Sequence, residues 1–586
     1  MHDIPVRSLV PLILLTTFLA SPSAQAQVTI QPKMGQPIDG LTPDELLRFQ
    51  AGKAEFEHFF TEAEGLGPIM NDDSCSSCHS LPATGGAGVL FVTRFGLSDK
   101  GSPFDPLNAL GGTLLQALSI DPGCSETVPT IANITAQRVT PSIFGSGLVE
   151  AIPDADILAL ESPGGGMAHF VPLLENPSGP LRVGRFGWKA QIATILTFSG
   201  DAAQAEMGIT NELLPAENAP NGNTALLATC DGVSDPEDLP DAQGFTFVDR
   251  ITDFQRFLAP PPQTPRSGMT GEAVFNSVGC ASCHHDTFTS GPAPEAALSN
   301  RELHPYSDFL LHDMGILGDG IVDGAASEVQ MRTPSLWGVR IRRPLLHDGR
   351  VFALDLEQAI DECVSWHGGE AAPVAAAYAA LPSADKAALI AFIDSLGRLE
   401  FDMNGDGIVS DLDIVPFLDC FTGSGAASVS PDDPCAVSDI DQDGDVDLVD
   451  ADFFVQAFEG SLGDCDASGI PDILEILQGT LPDANGNGVP DGCEAVTFLR
   501  SDCNEDGGQD LGDAIFGLSV LFSGEAPPSC LDACDVNDDG SFDISDPVYQ
   551  LAYLFTSGPA IPAPSLACGA DPTPSGLPCA GQASCP

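Results

Sequence analysis

The sequence predicts a mainly α-helical protein in which two related helical domains are followed by short loop-helix repeats. Three observations predict it. The pattern CxxCH occurs twice, as CSSCH at 75–79 and CASCH at 280–284. Downstream of each lies a version of one string, Arg138-Val139-Thr140-Pro141-Ser142-Ile143-Phe144-Gly145 and then Arg332-Thr333-Pro334-Ser335-Leu336-Trp337-Gly338, an echo that implies two related domains. Beyond residue 400, six acidic twelve-residue segments recur with Gly at the sixth position. A chain of 586 residues also exceeds what one hydrophobic core usually serves.

The first element is an export signal. Arg7, an apolar run over 9–20 and the small-residue site Ala24-Gln25-Ala26 read as a secretory signal peptide over residues 1–26. The run is shorter than the roughly 20 apolar residues a bilayer span needs, and no later stretch qualifies. A soluble mature chain in the periplasm, at the cell surface or outside the cell is expected. Lys plus Arg number 22 against 83 Asp plus Glu, so nothing would offset phosphate repulsion and nucleic acid is excluded as a partner.

The next two elements are domains over 27–262 and 263–400. Two thiols three positions apart add to the two vinyl groups of a haem and the adjacent imidazole ligates its iron, a chemistry that demands both spacing and residue type. Cys75, Cys78 and His79 thus bind one c-type haem, and Cys280, Cys283 and His284 a second. A lone CxxC also suits a zinc half-site or redox pair, but two motifs each ending in His in an exported chain favour haem. A short helix over 271–278 leads into the second motif, and DKAALIAFIDSL (385–396) has apolar residues at helical spacing. These are the opening and closing helices of a small cytochrome c-like domain.

The strings FGWKA (186–190), EMGIT (206–210), PYSDFLLHDMG (305–315), RTPSLWG (332–338), LLHDGR (345–350) and HGGEA (367–371) together resemble the di-haem oxidoreductase family, related to bacterial di-haem cytochrome c peroxidase and to MauG. The resemblance covers about residues 40–400. It implies that the haem of His79 meets hydrogen peroxide, while that of His284 takes electrons from a small cytochrome or similar donor. It also implies a second axial ligand after the helix at 356–366, where His367 is the candidate and Met331 and Met314 stand behind it. About four more residues separate that helix from His367 than the family spacing has, close to one helical turn, which keeps His367 on nearly the same face. FGWKA supplies Trp188 as a relay between the haems, with a core aromatic as the alternative. Arg332 and His347 are candidates to hold propionates.

No His occurs between His79 and His169, so an open or differently ligated first iron is expected, with His58 and Met70 as possible ligands. Cleaving a peroxide bond then needs a nearby proton-moving group, for which Glu150 is the first candidate, with Gln137 and Arg94 behind it. The competing functions are electron transfer without catalysis, MauG-like or haem-oxygenase-like oxidation of another substrate, and surface adhesion through the acidic tail.

That tail, 401–586, holds 35 acidic residues and one base, Arg500, and so carries −34 of the net −61. Its twelve-residue segments place oxygen-bearing side chains at positions 1, 3, 5, 9 and 12, as a calcium loop requires for a hard cation and a sharp central turn. A dockerin-like pair over 401–460 uses Asp402, Asn404, Asp406, Ser410 and Asp413, then Asp439, Asp441, Asp443, Asp447 and Asp450. Two further loops over 461–497 use Asp464, Asp466, Ser468, Asp472 and Glu475, then Asp483, Asn485, Asn487, Asp491 and Glu494. A second dockerin-like pair over 498–558 uses Asp502, Asn504, Asp506, Asp510 and Asp513, then Asp535, Asn537, Asp539, Asp543 and Asp546. Calcium is therefore expected beside the two haems, with a surface or complex partner for the repeats. The Pro-, Gly- and Cys-rich stretch 559–586 closes the chain. Of 17 cysteines, 13 lie outside the CxxCH motifs. Export lets most of these pair, with Cys420–Cys435 and Cys465–Cys493 the nearest partners by sequence and at least one cysteine left free.

Overall fold

Two close helix crossings, one for each CxxCH motif, carry the framework. The computed structural model describes residues 29–99, 102–163, 165–425, 429–494, 496–573, 576–582 and 584–585, so the signal segment 1–26 lies outside the described residues. The chain is 33% helix and 10% strand. It divides into two compact units, Met1–Glu459 and Gly460–Pro586.

In the first unit, α1 (Pro43–Phe56), α2 (Ile195–Met207) and α3 (Phe247–Phe257) surround the first motif. Helix α1 starts at a capping box between Thr42 and Glu45 with Pro43 leading, and α3 at another between Thr246 and Asp249. The face Phe49, Gly52, Phe56 buries itself against Phe254. A Cβ on Gly52 would stand 2.2 Å from the Arg250 carbonyl oxygen, so glycine is what lets the two helices approach. The second motif repeats the device. Helices α4 (Thr270–Val278), α5 (Leu356–Ser365), α6 (Ala372–Ala379) and α7 (Ser383–Ser395) surround it. There a Cβ on Gly271 of α4 would stand 1.9 Å from the Ala388 carbonyl oxygen of α7. Phe56 meets the His79 ring edge-on at 6.0 Å, and Phe275 lies 6.4 Å from the His284 ring. The expected helices at 271–278 and 385–396 are thus α4 and α7.

Small sheets fix the connections. Strands β1 (Phe91–Gly96), β2 (Leu114–Leu115) and β3 (Ile134–Val139) form an antiparallel sheet in the order β2-β1-β3, with Arg94 opposite Ala136. Strands β4 (Leu311–Asp313) and β5 (Gln330–Arg332) pair antiparallel with His312 opposite Met331. The two echo strings end alike, Gly145 and Gly338 both adopting positive φ.

The first loop pair belongs to this same unit. Its helices α8 (Asp411–Cys420) and α9 (Leu448–Ala457) pack through Phe417 and Phe454, stacked at 4.5 Å, with Phe401 buried edge-on against both. Arg340 donates to the Gly405 carbonyl at 3.1 Å, and the Thr270 N–H donates to Asp432 at 2.9 Å, tying loops to the helices around the second motif.

The second unit is built from α10 (Asp472–Leu477) and the packed pair α11 (Leu511–Ser523) and α12 (Ser545–Thr556). Its apolar core is small, and four disulfides staple it, Cys465–Cys493, Cys503–Cys534, Cys530–Cys579 and Cys568–Cys585. Arg500 is fully buried there, donating to the Asp535 carbonyl at 2.7 Å and pairing with Asp571 at 2.9 Å. The first unit holds Cys124–Cys230 and Cys420–Cys435. Both pairs anticipated from sequence spacing are therefore formed.

Candidate functional sites

Each CxxCH motif opens onto a large cavity. Cys75, Cys78 and His79 line one, and Cys280, Cys283 and His284 the other, each of about 170 Å³. The cysteine census separates these motifs from the rest of the chain. Twelve cysteines pair, and the five that do not are the four of the motifs and Cys363.

The imidazoles share one arrangement. His79 directs Nδ1 at the Gly86 carbonyl at 3.2 Å, His284 at that of Tyr306 at 2.8 Å, and His367 at that of Cys363 at 2.9 Å. With Nδ1 committed to a carbonyl, each ring keeps Nε2 as its acceptor face. Burial drops the pKa of His79 and of His284 to about 4 and lowers that of His367, so all three are neutral at physiological pH, as an iron ligand must be. His284 and His367 line the same cavity, together with Met314, Met331, Arg332 and His347. Burial also takes the His347 imidazole to about 4 and the Arg332 guanidinium to about 10.

Trp188 lines both cavities. Its indole N–H donates to the Val139 carbonyl at 2.9 Å, the Val139 N–H donates to the His347 carbonyl at 2.7 Å, and the Arg332 N–H donates to the Trp188 carbonyl at 2.9 Å. Val139 belongs to the first cavity, and His347 and Arg332 to the second. One indole is therefore the common wall. Beside it the Lys189 ammonium is fully buried, meeting Asp319 at 3.0 Å and the carbonyls of Ser327 and Gln330 at 2.8 Å.

The structure sorts the remaining candidates of the first cavity. Arg94 lines it, its Nη1 donating to Thr113 and its buried Nε without a partner among the described residues. Glu150 does not line it. That carboxylate accepts from the Ile195 N–H at 2.7 Å and Arg256 at 3.2 Å, and so anchors the start of α2. Gln137 faces solvent and donates to Thr93 at 2.8 Å. His58 is exposed and bonded to Glu64, and Met70 is buried away from the cavity lining.

Sequence reasoning missed the acids that do face this space. Helix α2 presents Phe198, Asp201, Ala202, Ala205 and Glu206 along one wall, the alanines leaving room between two carboxylates. Burial raises both carboxyl groups; Asn71, which donates to Glu206 at 2.7 Å, and the charge of Arg94 act against it. Arg138 also lines this cavity and pairs with Asp319 at 2.7 Å. The echo does not align it with Arg332: with Thr140-Pro141-Ser142 laid on Thr333-Pro334-Ser335, Arg138 falls one position earlier, opposite Met331.

The six acidic segments share one geometry. In each, the N–H of the sixth-position glycine (Gly407, Gly444, Gly469, Gly488, Gly507, Gly540) donates to the carboxylate of the first position at 2.8 to 3.2 Å. Every one of these glycines has φ between +81° and +94°, a turn that other residues rarely make. In the first and second segments, and in the fifth and sixth, the twelfth-position Asp413, Asp450, Asp513 and Asp546 are at most 1% exposed. Oxygens of Asp439, Asp441 and Asp450 lie within 4.8 Å of one another, and Asp439 Oδ1 has no hydrogen-bond partner among the described residues. Burial, reinforced by neighbouring carboxylates, pushes Asp439 up to about 6 and Asp450 to about 7.

Residues 132–396 match the family described as "Di-haem oxidoreductase, putative peroxidase". Among solved structures, the crystal structure of a MauG-like protein associated with microbial copper homeostasis aligns at 17% identity over 64% of this chain and 95% of that one, with a TM-score of 0.27. Kuenenia stuttgartiensis hydrazine synthase pressurised with 20 bar xenon aligns at 12% identity over 67% and 100%, with a TM-score of 0.28. No curated protein matches.

Proposed function

Because residues 132–396 belong to the di-haem oxidoreductase family, we propose that this chain is an exported di-haem c-type cytochrome that reduces hydrogen peroxide at the His79 site with electrons received at the His284 site. The observation that carries this reading is the single indole shared by two CxxCH cavities. Their unpaired cysteines, neutral histidines with Nδ1 turned to a carbonyl and apolar walls fit a covalently held haem in each. Cys75, Cys78 and His79 would hold the first, and Cys280, Cys283, His284 and His367 the second, with Arg138 near one and Arg332 and His347 near the other as propionate partners. Bound there, the haems supply the redox chemistry, which no side chain in either cavity provides.

The protein's own part is to position groups and move protons. Asp201 and Glu206, held protonated above the usual carboxylate range by burial, can give a proton inside the first cavity, and Arg94 offers a positive charge beside them. Trp188 bridges the two sites through contacts that fix its ring. No helix among the described residues is long and apolar enough to cross a membrane, and six disulfides favour an oxidising compartment.

The six acidic loops bind calcium in this reading, since buried carboxylates around positive-φ glycines otherwise repel one another. Their role is attachment or spacing toward a surface or protein partner.

Absorption and electron paramagnetic resonance spectra of the purified holo-protein test the proposal. A high-spin haem beside a low-spin one, the first responding to peroxide, is expected. Two low-spin haems inert to peroxide and cyanide would leave an electron carrier. Trp188→Phe should keep both spectra and slow electron transfer between the sites by at least about tenfold, the cost of about 1.4 kcal/mol on the barrier. Stopped-flow reduction of the two haems reads this directly, and an unchanged rate would remove the indole from the route.

A further inference from the structure

The strings PYSDFLLHDMG and HGGEA meet beside the second cavity. His312 of β4 is 5% exposed and sits between two acids. Its Nε2 lies 2.9 Å from Asp308 Oδ2 and its Nδ1 2.8 Å from Glu370 Oε2. Carboxylates only accept, and neutral imidazole carries a single N–H, so both contacts together require an imidazolium. Its pKa agrees in direction: burial acts to lower it, and the hydrogen bond donated to Asp308 together with the contact to Cys283 and the charges there outweighs that.

The backbone carries the connection on both sides. Asp308 N–H donates to the Cys283 carbonyl at 2.9 Å, and the neighbouring Tyr306 carbonyl receives His284 Nδ1. Glu370, three residues after His367, accepts the Asp313 N–H at 3.0 Å through Oε1. A Cβ on Gly369 would stand 2.0 Å from the Asp313 carbonyl oxygen, so the HGGEA turn lies directly against the end of β4. One segment, 306–313, thereby touches Cys283 and His284 at one end and the turn beyond His367 at the other.

We infer that His312 is a positioning residue whose bridge from Asp308 to Glu370 holds the His367 segment in register with His284 across the second cavity. The inference rests on the reading of His367 as an axial ligand. Losing one partner of a buried ionic bridge leaves the others uncompensated, and the His367 segment then opens more often. An external ligand competes with His367 only in that open form, so its apparent affinity reports the opening equilibrium.

The test uses the full-length holo-protein, titrated with cyanide at the ferric second haem. Glu370→Gln and His312→Gln should each raise apparent cyanide affinity there by about 10- to 100-fold, the usual scale for partners behind a metal ligand. The double variant should exceed neither single by much, since the residues act as one bridge. Cyanide binding at the first haem should be unchanged in all three, which certifies that the chain has folded. Unchanged affinity at the second haem, or fully additive singles, would overturn the bridge. His367→Ala separates the two readings. If it leaves the second haem low-spin, the ligation reading fails; if it turns that haem high-spin while Glu370→Gln behaves as wild type, the bridge alone fails.

Discussion

Glu206→Gln lowers the rate of peroxide reduction about 10²- to 10⁴-fold, the range that a positioned proton donor contributes, while both haems remain attached. Glutamine keeps the shape of the side chain and its contact with Asn71, and removes only the ionisable proton. The pH profile makes the test specific. Burial raises the Glu206 carboxyl, so its acid form persists above the usual carboxylate range and is lost as pH rises through that raised value. The wild-type rate should fall on that alkaline limb, and Glu206→Gln should lack it. A stopped-flow pH series at saturating peroxide checks both statements. If the variant keeps the wild-type rate and limb, Asp201 takes the role, and Asp201→Asn should then show the loss. Glu150→Gln provides the contrast, because that carboxylate anchors α2 from outside the cavity. Its effect should appear in thermal stability before it appears in the pH profile.

Chelating calcium from the full chain should loosen the second compact unit while the haem-binding unit keeps its spectra. The four loops there have first-position carboxylates bonded to glycine N–H groups and little apolar core beneath them. A ligand at 100 times its dissociation constant adds about 2.7 kcal/mol per site, so several sites together amount to the stability of a small domain. Hydrogen exchange of α11 and α12 with and without chelator reads the effect, and equal protection in both would rule out structural cation binding. The metal-free carboxyls set the sign of the pH dependence. Asp513 is pushed up to about 6 and Asp546 to about 7, each from 3.8, by burial and neighbouring acids. Between those limits the folded form binds more protons than the unfolded one. Stability without calcium is therefore greatest at low pH and falls as pH rises from about 4 to about 7. Calcium competes with the same protons, so the gap between loaded and chelated protein widens over that window.

Features that rest on covalent spacing were legible in the sequence. The CxxCH motifs, the echo strings, α4 and α7, and the sixth-position glycines are each defined by residues close together in the chain. His367 could be singled out only through the family resemblance, which implies an axial ligand after the helix at 356–366. The acids of the first cavity were hidden for a different reason. Asp201 and Glu206 sit in a helix whose own periodicity does not say which neighbour it will face, and only the packing of α2 beside Cys75 and His79 turns that face inward. Glu150 looked equivalent on paper because nothing local distinguishes a helix anchor from a cavity acid. His312 was invisible as a bridge, since its two partners lie 4 and 58 residues away and only folding brings both to one ring.

The cysteine pattern has a consequence for how the protein is made. If the four motif cysteines take haem as proposed, twelve thiols have to oxidise while those four, arranged as two CxxC pairs able to close on themselves, stay reduced until the haem is attached. Maturation is then a problem of order. An oxidant that reaches residues 75–78 or 280–283 too early yields a fully folded tail attached to colourless cavities. On that reading the yield of coloured protein measures the order of oxidation and haem attachment rather than the stability of the fold.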